Sequence, residues 1–95
     1  MNSDYESVNN YYERPVFEAI ANIAPRFADS AQPESLADVA CVALNRLPPR
    51  YIRHEADMAF YLTDVERAGI ERAVDEAVSY AFQFVQARTA MRERS

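Results

Sequence analysis

The chain has 95 residues, enough for one small domain with a modest core, and 49% of them are apolar, so it is not compositionally disordered. A net charge of −5 opposes binding to a nucleic-acid polymer, whose phosphates would meet a repelling surface. One glycine, no tryptophan and abundant Ala, Glu and Arg argue against a turn-rich β fold and favour helices.

Three helices are predicted, each opened by a hydroxyl followed three residues later by an acid, the form of a capping box. Ser3 and Glu6 precede the first, where Val8, Tyr12, Val16, Ile20 and Ile23 keep to one stripe. Pro15 interrupts that stripe. Either it kinks the helix, or a short turn ends near Tyr12 and a new helix begins with Pro15 in its first turn. Pro25 ends the helix, and residues 26–34 read as a polar connection. Ser35 and Asp38 open the second helix, with Leu36, Ala40, Ala43, Leu44 and Leu47 apolar. Residues 50–53 suit an extended segment, and residues 57–62 suit either a short helix or a strand. Thr63 and Glu66 open the third helix, whose stripe is Ile70, Val74, Ala77, Val78, Ala81, Phe82 and Val85. The expected fold is all-α: a single domain over residues 1–95, with about three main helices and a Pro-Pro turn.

Eleven large rings are many for three helices. Tyr80 and Phe84 lie off the main stripe of the last helix, and Tyr11 and Phe17 flank that of the first. Apolar residues on a second face need a second burial partner, so a homodimer is expected, with Tyr11, Tyr80 and Phe84 at its interface.

Little in the sequence suggests catalysis. Cys41 stands alone and reads as a small core residue, Asp38 as a capping acid and Asn45 as the end of its helix. His54 has neither a nucleophile motif beside it nor enough ligand types for zinc. No enzymatic activity and no resident cofactor or metal are expected. The polar N-terminus is unlike a signal peptide and no apolar run approaches a membrane span, so a cytoplasmic protein is expected.

Residues 43–54 carry the chemistry: ALNRLPPRYIRH. Arg46, Arg50, Arg53 and His54 surround Pro48-Pro49 with no acid among them. A proline-fixed backbone starts these side chains from set directions, and guanidinium forks pair with phosphates and guanine edges. Tyr51 and Tyr61 supply rings on which a base could stack. The spacing of Arg46 and Arg50 is similar to that of the arginines in PilZ cyclic-dinucleotide receptors, which are β-barrels.

A longer match covers roughly residues 8–62. Asp38-Val39-Ala40 followed by Ala43-Leu44-Asn45-Arg46-Leu47-Pro48-Pro49-Arg50-Tyr51 resembles the signature of the ComFB family of late competence proteins, and Asn10-Tyr11-Tyr12-Glu13 resembles its opening helix. The resemblance implies a small α-helical dimer and, from some members, a cyclic-dinucleotide ligand such as cyclic di-GMP. Relatives often carry a Cys-x-x-Cys pair associated with zinc; Gln32 and Ser35 stand at those positions here, so zinc is not carried over. The ligand-binding candidates are therefore Arg46, Arg50, Tyr51, Arg53, His54 and Tyr61. The competing expectation is a helical dimeric adaptor without a small ligand, whose Arg-Tyr turn docks an acidic protein. In either case an unidentified downstream protein would read the domain's state.

Overall fold

In the computed structural model, which describes residues 3–94, the longest element is a terminal helix of 31 residues, Asp64–Arg94. The others are a two-residue strand β1 (Asn9–Asn10), helix α1 (Glu13–Ile23), helix α2 (Pro33–Arg46), strand β2 (Tyr51–Ile52) and helix α3 (Glu55–Tyr61); the terminal helix is α4. The fold is all-α, with a minimal antiparallel ribbon pairing Asn9 with Ile52 and Asn10 with Tyr51. No helix among the described residues is long and apolar enough to cross a membrane.

The core lies where α1, α2 and α4 meet. Val16, Ile20 and Ile23 from α1 face Val39 and Ala43 from α2 and Val74, Val78, Phe82 and Val85 from α4, all buried. The i, i+3, i+4 stripe predicted for α4 is thus the one buried, with Ile70 at its partly covered end. Helix α2 runs antiparallel to α4: Asp38 near its start reaches Arg88, and Arg46 at its end reaches Tyr80.

The capping signals did not all act as expected. Thr63 does: its hydroxyl oxygen accepts from the Glu66 N–H at 3.1 Å, and the hydroxyl donates to the Glu66 carboxylate at 3.2 Å. Ser35 does not, because α2 begins two residues earlier with Pro33 in its first turn, and the Gln32 carbonyl accepts the first helical bond from Leu36. Proline's fixed φ and missing N–H suit that position better than an interior one. Asp38 therefore sits a turn inside the helix and is an ion-pair partner, 3.0 Å from Arg88, not a capping acid. Ser3 and Glu6 lead only into a 3-10 turn, Tyr5–Ser7, and Val8 stays exposed.

Of the two readings of Pro15, the broken helix is the one found: α1 starts at Glu13, and Pro15 lies in its first turn, where no N–H is needed. The helix ends before Pro25, as expected. The connection after it is less polar than its sequence suggests, because a 3-10 segment over Ala24–Ser30 presents Phe27 to Phe82, with centroids 4.9 Å apart and planes 9° from parallel. Cys41 corrects another expectation. The buried line of α2 is Val39, Ala43 and Leu47, and a residue two beyond Val39 falls on the far side of a helix, so Cys41 is exposed.

Gly69 lies inside α4, and a Cβ placed there would meet nothing within 4 Å. Gly69→Ala should therefore raise stability by about 0.5–1 kcal/mol through reduced backbone freedom in the unfolded chain. The check is an upward shift of several degrees in the thermal midpoint.

Candidate functional site

The Pro-Pro turn is held from below by Asn10. The Oδ1 of this residue accepts from the Tyr12 N–H at 3.2 Å and from the Arg50 N–H at 3.1 Å. Its own N–H donates to the Glu13 carboxylate at 3.1 Å, and the Tyr11 N–H donates to the Arg50 carbonyl at 2.6 Å. One side chain thus caps the entry to α1 and fixes the backbone of Arg50. The sequence carries a signal for this in Asn10-x-x-Glu13, an asparagine variant of the capping box that the reading of Ser3 and Glu6 as the helix start did not include.

The candidate residues radiate from this anchored turn. Arg46 is the last residue of α2, and its guanidinium lies over the Tyr80 ring of α4, 3.7 Å from the centroid. Such stacking is worth about 0.5–2 kcal/mol and occupies a face of the guanidinium while leaving its N–H edge available. Arg46 also walls a hollow of about 220 Å³ with Leu47, Pro48, Ala73 and Glu76. The Arg50 side chain is exposed, and among the described residues neither Arg46 nor Arg50 has a carboxylate within ion-pairing distance.

Arg53 points elsewhere. Its Nε donates to Ser7 Oγ at 3.1 Å and its outer nitrogen is 3.7 Å from Asp4, so it ties the N-terminal turn to β2. Tyr51 faces outward from the ribbon at 69% exposure, and Ile52 alternates inward. His54 is exposed at the N-cap of α3, where its side chain makes no cap bond. Tyr61 ends the same helix at 74% exposure. Arg46 and Arg50 thus stand on the two sides of one turn with Tyr51 beside them, while Arg46 is directed to Tyr80 of α4 and Arg53 to the N-terminal turn. Sequence reasoning missed Tyr80 as the platform under Arg46, since it read that ring only as a dimer contact.

The residues do not fit zinc. Gln32 is exposed, Ser35 is half-buried in α2, and among the described residues no three of His, Cys, Asp and Glu come together as a metal site. Purified protein is expected to retain no stoichiometric zinc after dialysis, and elemental analysis giving about one zinc per chain would contradict the geometry.

These features define a small helical domain whose most basic loop is an anchored, proline-fixed turn. The pattern of the late competence development protein ComFB family matches residues 9–89, so it covers most of α4 as well as the signature around the turn. The chain belongs to that family, a family of competence-related small proteins. No curated protein and no solved structure matches the chain.

Proposed function

We propose that this chain is a non-enzymatic receptor for a cyclic dinucleotide, cyclic di-GMP first among the candidates, acting in the cytoplasm as a homodimer. One observation carries the reading: in an acidic protein, two guanidinium groups flank a proline-fixed turn, and among the described residues no carboxylate neutralises either. Five acids lie in α4 between Asp64 and Glu76, and Asp38 and Glu55 have found other arginines, so the bare charge at the turn is a local exception. A dinucleotide with two phosphates matches two forks, one of them aligned by Tyr80 and the other by the Asn10 bond to its backbone. Tyr51 and Tyr61 are exposed enough to take a base, and His54 and Arg53 border the same strand. Arg53 would have to exchange an exposed, weak ion pair with Asp4 to join the site.

A second reading has its own support. Arg46 and Arg53 diverge, one toward α4 and one toward the N-terminal turn, which suits an adaptor that spreads its arginines over an acidic protein surface. Calorimetric titration with cyclic di-GMP and cyclic di-AMP separates the two. The receptor reading expects saturable heat with at least one ligand; no heat with either favours the adaptor.

A further inference from the structure

Two cavities of about 340 and 380 Å³ share Tyr11, Pro15, Glu18 and Arg67 and so form one continuous groove along α1 and α4, closed at one end by α3. The turn that carries Arg46 and Arg50 lines neither cavity. The floor is apolar, with Pro15, Ala19, Met58, Ile70 and Val74 contributing. The rim is acidic toward one end. Glu71 and Asp75 have no cation within ion-pairing distance among the described residues, and Glu18 has only Arg14 at 4.0 Å, an exposed pair. At the other end Arg14 is clasped by Glu55 of α3 at 2.6 Å, so that arginine is already compensated.

We propose that this groove is the docking site for a basic amphipathic helix of a partner protein. The apolar floor asks for an apolar stripe on the occupant, and the unpaired Glu71 and Asp75 ask for Lys or Arg beside it. The walls explain why the occupant is helical. All three are helices whose interior backbone groups are already bonded, so along their length they offer no strand edge to an extended peptide, and an occupant pressed against the floor must satisfy its own backbone. Arg67 to Asp75 spans about 12 Å, a length that two to three helical turns cover.

Helix α3 sets the width of the closed end. Met58 is its one buried residue, and among the described residues the Arg14–Glu55 bond is its one ion pair, so it is lightly held between the groove and the basic turn. The inference does not rest on the dinucleotide reading, because the groove and the turn use different residues.

The test is an NMR titration of the full chain with three short capped peptides: a Leu/Lys amphipathic helix, its Leu/Glu counterpart, and a Lys/Ser peptide without an apolar stripe. Only the Leu/Lys peptide should produce saturable shifts at Ala19, Asn22, Ile70 and Val74. The Glu71→Arg, Asp75→Arg double variant, both positions being exposed, should weaken it about tenfold or more while leaving any dinucleotide affinity unchanged. No saturable shift, equal binding of the Leu/Glu or Lys/Ser peptide, or indifference to the double variant each overturns the proposal. A changed oligomeric mass in the double variant also overturns it, by assigning the groove to a second copy of this chain.

Discussion

Arg50→Ala is expected to remove measurable cyclic di-GMP binding at low micromolar ligand while helical content and molecular mass stay as they are. Among the described residues the Arg50 side chain has no carboxylate partner, so its deletion leaves no orphaned acid there and costs little stability. What it removes is a charge-assisted contact, worth roughly 1.5–3 kcal/mol, or about 10- to 100-fold in affinity. Arg46→Ala should cost a similar amount. Arg46→Lys should rescue little, because an ammonium lacks the flat fork that lies on Tyr80 at 3.7 Å. Arg53→Ala should cost less than either, since that guanidinium already spends part of its capacity on Ser7 and Asp4. Raised salt should weaken the wild type, though less steeply than it weakens binding to a polymer. Unchanged affinity in all three alanine variants would keep the receptor but move its site, with Tyr11–Arg14 the next place to look. Calorimetry on the four variants, with circular dichroism and light scattering as controls, decides among these outcomes.

The contrast between these arginines shows what the sequence could and could not carry. Their identities and the rigid turn between them were legible, because proline acts locally. Their partners were not. The Arg46–Tyr80 stack and the Arg50–Asn10 bond join distant parts of the chain, and one sequence does not record which distant residues meet. The fold divides the same way. The stripe of α4 was readable because 3.6-residue periodicity extends over several turns; the start of α2 was misplaced because Pro33 and Ser35 both signal a helix start and proline won. Phe27 was overlooked because its proline- and alanine-rich surroundings suggested a loop, whereas its ring is held by Phe82. Residues 57–62 admitted two readings because one apolar run fits either period; most of it is helix, with Met58 alone turned inward.

Phe84→Asp is expected to convert a homodimer into a monomer without loss of helix. Beside the core stripe, and sharing Ile70 and Ala77 with it, α4 carries an apolar seam that continues through Ala73, Tyr80, Phe84, Ala87 and Met91, at alternating spacings of three and four that match a heptad. Leu47 and Pro48 border its first half at Ala73 and Ala77, but Tyr80, Phe84 and Met91 remain 41%, 43% and 72% exposed. Tyr11, the third ring expected at an interface, is instead packed edge-on against Tyr12 within the protomer, with centroids 5.7 Å apart. The helix reaches about 46 Å in length. Accordingly the radius of gyration, 15.4 Å, exceeds the roughly 12–13 Å of a compact domain this size. An antiparallel two-fold near residue 82 sets Tyr80 of one copy against Phe84 of the other and the small Ala73 against Met91. It also sets Glu76 of one copy at the level of Arg88 of the other. An aspartate at position 84 would place two carboxylates close to that axis, each costing several kcal/mol to desolvate, against the ~8 kcal/mol that holds a micromolar dimer. Light scattering should then give the monomer mass at concentrations where the wild type is dimeric; a wild type already monomeric at tens of micromolar would sink the interface. Because Arg46 rests on Tyr80, the same axis brings two Arg46 guanidinium groups toward each other, so Phe84→Asp should also weaken the cyclic dinucleotide, whose two phosphates are themselves related by a two-fold.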